Sequence, residues 1–352
     1  MTNLIVENLS VSRNGRPVLQ DISFTAQPGE FIGLIGPNGT GKTTLMRAML
    51  GLLPHTGHCN LSSLSADAKA KLVSWLPQAR DVAWPMSVSS LVALGRQPYK
   101  TSTKEDDDAV ANAIADMELT DLAERPATEL SGGETARALI ARCLAQDTSI
   151  FMADEPLAAL DKNLRESMQY EIKHIHENIG VTVVYVTHDQ GEALTMSNRI
   201  AVFNDGKVQQ LSSPDKLYEE PVNSFVAEFI GENNTFGGEV TDISKDVCKV
   251  KLQNGEILAN PISVTSKGDK TTVSIRPERA LINPKDKMDN NQTGKIEEVI
   301  YHGDHTRVRL DLLGNKEFIL KVPNSSNELD LKLGNEIKVG WNSQDARALD
   351  PK

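Results

Sequence analysis

The sequence predicts an α/β domain with a mainly parallel, helix-covered sheet, followed by a small all-β domain that is expected to form a barrel. Strand-like and helix-like segments alternate over residues 1–232, which is typical of a parallel sheet covered by helices. A glycine-rich loop between a strand and a helix lies near the start of this region. Over residues 233–352, short alternating strands are separated by turns rich in Gly, Asn and Asp, as in small barrels.

Length and composition limit the possible classes of protein. A chain of 352 residues is long enough for more than one domain. It has no apolar run of the roughly 18 residues needed to cross a bilayer, and its first residues show no secretory signal. A formal net charge of −11 argues against a general nucleic-acid-binding protein. The cysteines Cys59, Cys143 and Cys248 are far apart and odd in number, which favours reduced thiols over a zinc site or a disulfide framework.

The N-terminal segment is expected to be rich in strands. Residues 3–8 begin a strand, and β-rich sequence continues over residues 9–24 with a hairpin turn at Asn14-Gly15. A second turn at residues 28–29 leads into a short buried strand, Phe31–Ile35.

The glycine loop follows this strand at residues 36–44. It matches the phosphate-binding pattern of Gly, four residues, Gly-Lys-Ser/Thr. Its backbone N–H groups and the positive end of the helix beginning at Lys42 would form a nest for phosphate. Lys42 is expected to reach the β and γ phosphates, and Thr43 to place its hydroxyl on Mg²⁺. The other residues that we assign to phosphate binding are Gly36, Asn38, Gly39, Gly41 and Thr44.

A mostly helical insertion is expected at roughly residues 85–145, after a strand over residues 72–77. Its predicted helices are Ser87–Gly95, Lys104–Met117 and Thr120–Glu124. The sequence Leu-Ser-Gly-Gly-Glu at residues 130–134 then opens a further helix, whose N-terminus is a second anion-binding geometry.

Two apolar strands end in polar residues that could take part in chemistry. The strand over residues 149–153 ends at Asp154-Glu155, which places a carboxylate where Mg²⁺ coordination beside a glycine loop requires one. An amphipathic helix over residues 163–179 follows, and the next strand, at residues 181–186, ends at His188.

These motifs, in this order, resemble the ATPase subunit of ABC transporters over residues 1 to about 232. The matching set is Gly36–Thr43, Gln78, Leu130–Glu134, Asp154-Glu155, Asp161 and His188. The resemblance implies a P-loop ATPase with a helical subdomain, which binds ATP and Mg²⁺ and hydrolyses the ATP.

The resemblance also implies residue roles. Glu155 would be the catalytic carboxylate that polarises the attacking water, and His188 would contact the γ-phosphate. Gln78 would sense both the metal and the water, so that Thr43, Gln78 and Asp154 form the expected metal site. General-base catalysis of this kind is typically worth about 10²–10⁴-fold in rate.

A second subunit is implied as well. In the family, Ser131, Gly132 and Gly133 face the ATP held by the glycine loop of the other subunit, so we expect a homodimer or a pair of ATPase subunits. Asp161 would lie at that interface. Family members commonly stack adenine on an aromatic residue before the first hairpin turn; here residues 11–15 contain none, and Arg13 is either a substitute or an ordinary exposed arginine.

The region after residue 232 resembles the C-terminal OB-like regulatory barrel of one group of importer ATPases. Its expected strands are Gly238–Asp242, Val247–Leu252, Thr272–Ile275, Gly294–Tyr301, Arg307–Leu312, Glu317–Val322 and Glu336–Trp341.

The two ends of the chain resemble different importers. Residues 83–88 and 91–96 are similar to ATPases for iron-siderophore, haem and cobalamin import. From about residue 160 onward, the chain is similar to ATPases of spermidine/putrescine and of ferric-ion or sugar importers; the matching stretches are Leu160–Glu166, Val184–Gln190, Glu192–Ser197, Phe203–Gly206, Phe229–Asn234 and Ser274–Arg279. Polyamine import is favoured, with an iron-complex importer as the alternative.

The expected partners follow from this interpretation. The protein would be peripheral on the cytoplasmic face of the inner membrane, bound to an integral-membrane permease that works with a solute-binding protein, without binding nucleic acid. A soluble ABC ATPase of DNA repair or translation is another possibility. Such proteins typically carry a long coiled-coil insertion or duplicated ATPase domains, and this sequence shows neither.

Overall fold

The computed structural model describes residues 3–79, 82–99, 103–158, 160–324 and 331–352. The chain divides into two compact units, Met1–Leu217 and Tyr218–Lys352. This division falls earlier than the boundary that the sequence predicted after residue 232. The reason is that the Arg276 side chain, in the second unit, donates hydrogen bonds to backbone carbonyls of residues 218–232 and holds that segment there.

The first unit alternates strands and helices. Its strands are β1 (Leu4–Arg13), β2 (Arg16–Ala26), β3 (Phe31–Ile35), β4 (Thr56–Cys59), β5 (Val73–Leu76), β6 (Ile150–Asp154), β7 (Thr182–Val186), β8 (Arg199–Asn204) and β9 (Lys207–Ser212). Its helices are α1 (Lys42–Met49), α2 (Ala66–Leu72), α3 (Val88–Ala93), α4 (Thr103–Asp116), α5 (Gly132–Ala145), α6 (Lys162–Ile179), α7 (Gln190–Met196) and α8 (Pro214–Glu219), the last of which spans the division between the units.

A mainly parallel sheet forms the centre of the first unit, as predicted. Its strand order is β5-β6-β7-β3-β8-β9, in which only the β8–β9 pair is antiparallel among the described residues. Alternate residues pack on opposite faces: Phe31 and Tyr185 contact the cluster formed with the helical region, whereas Ile32 and Val184 contact the cluster under β1, β2 and α1. Because both faces are covered, the central strands are continuous apolar runs.

Two hairpins have turns of the same kind, and the sequence predicted the first of them. Asn14 and Gly15 have φ of 51° and 74° and connect β1 to β2. Asp205 and Gly206 have φ of 49° and 73° and connect β8 to β9. Two successive residues with positive φ give the turn whose twist matches an antiparallel pair. With β4, the first hairpin forms a separate antiparallel sheet of order β2-β1-β4.

The helical region contains α3, α4 and the start of α5, within the predicted insertion. Val92, Ile114 and Leu139 of these helices share one apolar cluster. The predicted helix over residues 120–124 is instead a short 3-10 turn, Thr120–Leu122. A segment this short gains too few helical hydrogen bonds to form a stable α-helix.

Within the residues described, the second unit is all-β apart from the end of α8, helix α9 (Ser224–Phe229) and a 3-10 turn at Ser343–Asp345. Its strands are β10 (Asn234–Ile243), β11 (Cys248–Leu252), β12 (Gly255–Pro261), β13 (Lys270–Ile275), β14 (Leu281–Ile282), β15 (Asn290–Tyr301), β16 (His305–Leu312), β17 (Asn315–Pro323), β18 (Glu336–Trp341) and β19 (Ala346–Leu349). A closed barrel has the order β10-β11-β12-β19-β13, and a second, open sheet has the order β14-β18-β15-β16-β17.

The predicted barrel is therefore present, but it uses only some of the predicted strands. The others form the open sheet, and β12, β14 and β19 were not predicted.

No helix in the described part of the chain is long and apolar enough to cross a membrane.

Candidate functional site

The glycine loop lies between β3 and α1 and is shaped by close backbone contacts. Gly41 has φ of 104°, and a Cβ atom there would lie 2.6 Å from Leu19 Cδ2. At Gly36, a Cβ atom would lie 2.3 Å from the carbonyl oxygen of Phe203. Only glycine fits these two positions, and Gly41 begins α1 without a side-chain cap, so backbone N–H groups at the helix start remain available to a ligand.

Lys42 is held inside the loop. Its side chain is buried, and Nζ donates hydrogen bonds to the carbonyl oxygens of Gly36 (2.8 Å) and Pro37 (3.0 Å). Burial lowers the pKa of Lys42, while the charges of Glu155 and Asp154 oppose that shift. A phosphate bound here would give the buried ammonium an anionic partner in place of neutral carbonyls.

Asp154 is a buried carboxylate at the end of β6. Only 1% of the residue is exposed, and neither carboxylate oxygen has a hydrogen-bond partner among the described residues. Burial raises the pKa of Asp154, and the nearby Thr43 hydroxyl opposes the shift. An unpaired buried carboxylate is unfavourable, and a divalent cation would satisfy it. The hydroxyl and carboxylate oxygens of Thr43 and Asp154 are ligands that suit Mg²⁺.

Glu155 lies at the centre of a polar group. Gln78 Nε2 donates a 3.0 Å hydrogen bond to Glu155 Oε2, and His188 Nδ1 lies 3.6 Å from the same oxygen. Glu155 has a positive φ of 49°, and its backbone N–H donates to the carbonyl oxygen of Val186. A non-glycine residue in this region is strained and is held by its surroundings, which is common at functional sites.

These elements enclose one cavity of about 290 Å³. Its lining residues are Asn38, Gly39, Gly41, Lys42, Thr43, Thr44, Gln78 and Glu155. Three further predicted residues border this group. The carbonyl oxygen of Gly36 accepts a hydrogen bond from Lys42. Asp154 lies beside Thr43, and His188 lies beside Glu155. The structure thus brings together most of the predicted site.

The predicted signature residues lie elsewhere and do not line this cavity in the described chain. Ser131 caps α5 in a capping box: its hydroxyl accepts from Glu134 N at 3.3 Å, and its own N–H donates to Glu134 Oε2 at 2.7 Å. Gly132 has no neighbour near its missing side chain, whereas a Cβ atom on Gly133 would lie 2.3 Å from Leu164 Cδ2.

Asp161 and Arg13 are also outside the cavity lining. Asp161 caps α6 by accepting a 3.0 Å hydrogen bond from Leu164 N. Leu164 therefore connects Asp161 to Gly133, so two segments assigned to the same interface are adjacent. Arg13 is exposed at the end of β1.

Sequence reasoning missed a buried network behind His188. Glu192, on α7, is 3% exposed, and its Oε2 accepts hydrogen bonds from the hydroxyls of Thr187 (2.6 Å) and Tyr185 (3.0 Å). Burial raises the pKa of Glu192, and these two hydrogen bonds oppose the shift. Thr187 Oγ1 also accepts from Asp189 N at 3.0 Å, so Glu192 fixes both neighbours of His188.

Arg165, on α6, extends this network towards Asp161. Its Nε lies 3.7 Å from Glu192 Oε1, and its Nη1 donates to Asp189 Oδ2 at 3.4 Å. Its Nη2 donates to the carbonyl oxygen of Leu160 at 2.9 Å. One guanidinium therefore joins the segment before α6 to the segment that carries His188. The sequence contains one signal of this network: Glu192 is an acidic residue in a helix otherwise rich in small and apolar residues.

Comparison with known families agrees with this geometry. The ABC transporter family matches residues 19–158, and the TOBE domain matches residues 273–349. The first match contains the glycine loop, the signature segment and Glu155, and the second lies within the second unit.

Relatives align over nearly the whole chain. The spermidine/putrescine import ATP-binding protein of Trichodesmium erythraeum is 33% identical over 95% of this chain and 91% of its own length. The protein of that name from Pseudomonas aeruginosa is 33% identical, covering 97% of each chain. The Marinobacter nauticus protein is 35% identical, covering 97% of this chain and 93% of its own.

Solved structures share the fold of the first unit. The structure of cbiO1 from Clostridium perfringens, part of an ABC transporter complex, has a TM-score of 0.57 and 25% identity, and covers 62% of this chain and 90% of its own. An ATP-binding cassette solved as a dimer with ADP and Pi is similar in fold, with a TM-score of 0.53 and 24% identity. It covers 60% of this chain and 99% of its own. Together with the geometry of the glycine loop and Glu155, these matches show that the chain belongs to the family of ABC transporter ATP-binding proteins.

Proposed function

We propose that this chain hydrolyses ATP to energise an importer of the polyamines spermidine and putrescine. The observation that carries the proposal is the similarity to spermidine/putrescine import ATP-binding proteins, which extends through the helical region and the C-terminal unit at 33–35% identity.

Phosphate binding is assigned to the loop and the start of α1. Backbone N–H groups at Gly39, Gly41 and Thr44 would contact phosphate oxygens, with Asn38 at the loop rim. The buried ammonium of Lys42 would exchange its carbonyl partners for the β and γ phosphates. Mg²⁺ held by Thr43, Asp154 and Gln78 would neutralise charge on the phosphates.

Hydrolysis is assigned to Glu155. Its carboxylate faces the cavity and is oriented by the Gln78 amide, so it is placed to polarise a water molecule next to the γ-phosphate. His188, beside the same oxygen and mostly exposed, would contact the γ-phosphate. The Thr187–Glu192 hydrogen bond keeps the backbone of His188 in place.

A second subunit is required to complete each site. Ser131, Gly132 and Gly133 do not line the cavity of their own chain, and the start of α5 would instead contact ATP bound by a second copy. Asp161 would lie at the same interface through its contact with Leu164. Arg13 is free to stack its guanidinium on adenine, in place of the aromatic residue that relatives use.

The expected assembly is a pair of these chains, peripheral on the cytoplasmic face of the inner membrane. The pair would bind an integral-membrane permease that works with a solute-binding protein.

One observation favours a second candidate, an importer of iron complexes. Residues 83–88 and 91–96, in the helical region, resemble that class, and Trp84 is 72% exposed and accessible to a permease. Contact with the permease, rather than the C-terminal unit, would select the transported solute.

The test combines purification with transport. Tagged protein is isolated from detergent-solubilised membranes of its source, the co-purifying permease is identified, and uptake of labelled spermidine and putrescine is measured in cells carrying wild type or Glu155→Gln. A polyamine-type permease and uptake that Glu155→Gln abolishes would support the proposal. Recovery of a permease for iron complexes, with polyamine uptake unchanged by the variant, would refute it in favour of the second candidate.

A further inference from the structure

We infer that Arg165 is a positioning residue for ATP hydrolysis, which fixes His188 relative to Glu155, an inference that rests on the roles proposed above for these two residues. Arg165 lies on α6 and acts through the two backbone segments that carry them. Its effect is measured as ATP turnover and does not depend on which solute is transported.

His188 depends on its neighbours in the chain for its position. Its side chain is 53% exposed, and Nδ1 lies 3.6 Å from Glu155 Oε2, which is longer than a hydrogen bond. The direction of the imidazole is therefore set by the backbone on either side, at Thr187 and Asp189.

Arg165 contacts the residues that hold this segment. Its Nη1 donates a 3.4 Å hydrogen bond to Asp189 Oδ2, and its Nε lies 3.7 Å from Glu192 Oε1. Asp189 follows His188 directly, and Glu192 accepts the hydrogen bond of the Thr187 hydroxyl. No other lysine or arginine within the described ranges forms an ion pair with either carboxylate. The guanidinium is therefore the counter-charge of both acidic groups beside His188.

The two carboxylates repel each other unless a cation lies between them. Burial raises the pKa of Glu192, the charge of Asp189 raises it further, and the charge of Arg165 opposes the shift. Without Arg165, the repulsion would be relieved by movement of the side chains or by protonation of Glu192. Either change alters the acceptor of the Thr187 hydroxyl, and with it the backbone of His188.

The third contact of Arg165 is on the side of Glu155. Its Nη2 donates a 2.9 Å hydrogen bond to the carbonyl oxygen of Leu160. Leu160 ends the segment that begins at Glu155, and the N–H of Ala158 donates to the carbonyl oxygen of Glu155 within that segment. One side chain thus holds both the segment that carries Glu155 and the segment that carries His188.

A cavity beside Arg165 makes its role testable. The cavity has a volume of about 670 Å³ and lies between α6 and α7, and the Arg165 side chain is 26% exposed. A shorter side chain at this position leaves no sealed void, so we expect variants to fold. An arginine kept only for stability would leave the chemistry of a folded variant unchanged, whereas one that positions His188 would not.

The experiment measures steady-state ATP hydrolysis by the full-length protein and by Arg165→Gln, at a temperature where circular dichroism shows both to be folded. We expect kcat to fall by about ten- to a hundredfold, because a displaced group beside the reacting atoms is costly. KM for ATP should change by less than about twofold, since the phosphate-binding loop is untouched. A kcat equal to that of wild type would overturn the inference.

Combining this change with His188→Ala separates positioning from a general weakening of the protein. If Arg165 acts through His188, Arg165→Gln should lower kcat by less than about twofold once the imidazole is absent, so the two effects are not additive. A loss as large in the His188→Ala background as in wild type would overturn the inference. Wild-type turnover in Glu155→Gln would instead refute the proposed hydrolytic site, whatever Arg165→Gln shows.

Arg199→Gln is the matched control. Arg199 is also partly buried, and its Nη2 joins a carboxylate to a backbone carbonyl, Glu30 Oε2 at 2.9 Å and Thr25 O at 2.6 Å. It is the register partner of Ile32, near the start of β3, whereas the glycine loop follows the end of that strand. Arg199→Gln should therefore lose comparable contacts and keep the kcat of wild type. An equal loss of kcat in the two variants would overturn the inference.

A second variant keeps the test valid if Arg165→Gln does not fold. Arg165→Lys keeps a cation beside Asp189 and Glu192, but an ammonium lacks the planar fork that reaches three acceptors at once. Its kcat should fall while KM is retained, and wild-type kcat in this variant would overturn the inference.

Discussion

The hydroxyl of Thr187 donates a 2.6 Å hydrogen bond to the buried carboxylate of Glu192. Thr187 directly precedes His188, and its oxygen also accepts a hydrogen bond from Asp189 N. The position of His188 is therefore set by a residue on the next helix, which does not itself line the cavity at the glycine loop.

Replacing Thr187 tests this relationship. Thr187→Val removes one donor to a buried carboxylate, so we expect a loss of about 1–3 kcal/mol in the free energy of unfolding. The displaced His188 should lower kcat for ATP hydrolysis, with KM changed by less than about twofold. Thr187→Ser keeps the hydroxyl and should restore kcat. Wild-type kcat in Thr187→Val would show that this hydrogen bond does not position His188.

Glu155→Gln tests the catalytic assignment. The amide keeps the size of the side chain but cannot polarise water as a carboxylate does, so kcat should fall by about 10²–10⁴-fold. Binding of ATP, measured by equilibrium titration, should be retained. Glu7→Gln, an exposed position on β1, should keep wild-type turnover. Phosphate release by Glu155→Gln at close to the wild-type rate would remove Glu155 from the mechanism.

The two signature glycines should respond differently to alanine. A Cβ atom on Gly133 would meet Leu164 at 2.3 Å, so Gly133→Ala should destabilise the protein by about 1–3 kcal/mol through overpacking. Gly132→Ala adds a methyl group where nothing lies within 4 Å and should be neutral or stabilising by up to about 1 kcal/mol. Urea denaturation of both variants measures the difference; equal midpoints would mean that Leu164 moves aside at no cost.

Asp154→Asn should separate stability from metal binding. A neutral amide costs less to bury than an unpaired carboxylate, so the metal-free variant should melt about 2–4 °C higher than wild type. The variant should also lose the additional stabilisation that Mg²⁺ gives in the presence of ATP. Thermal denaturation with and without Mg·ATP measures both effects. A lower melting temperature without metal would indicate that the carboxylate has partners after all.

The raised pKa of Tyr218 predicts that the stability of the second unit changes with pH in the alkaline range. Burial, together with its 2.6 Å hydrogen bond to Glu278, raises the pKa of Tyr218 to about 12. Because the folded pKa lies above the ordinary value of about 10, its contribution to stability is present below pH 10 and is lost as the pH rises through about 12. Absorbance titration of tyrosinate should show one group near pH 12 that is absent in Tyr218→Phe. In Glu278→Gln that group should ionise at lower pH; an unchanged titration would contradict the role of Glu278.

The sequence was sufficient where one local pattern determined the structure. The glycine loop, the apolar strands β3, β6 and β7, and the Asn14-Gly15 turn were predictable because periodicity and turn chemistry act over a few residues. Most residues around the cavity at the glycine loop were found in the same way, since they follow these strands directly.

Features that depend on distant contacts were missed. The β19 strand is only four residues long, and its pairing with β13 and β12 is made across the whole second unit. Arg165 and Glu192 lie on separate helices, and neither helix alone indicates that they meet. The division between the units at residues 217–218 could not be read from the sequence, because the contacts of Arg276 with residues 218–232 form only after folding.

The order of strands in the second unit has a consequence for how that unit folds. β13 and β19 are neighbours in the closed barrel, yet β14 to β18, which form the open sheet, lie between them in sequence. The register pair Thr272–Leu349 can form only when this intervening segment brings its two ends together, and a compact segment does so at a smaller entropic cost than a free chain. We therefore expect the sheet to assemble before the barrel closes. Barrel and sheet should then unfold in one cooperative transition, and the barrel should not survive as an excised fragment.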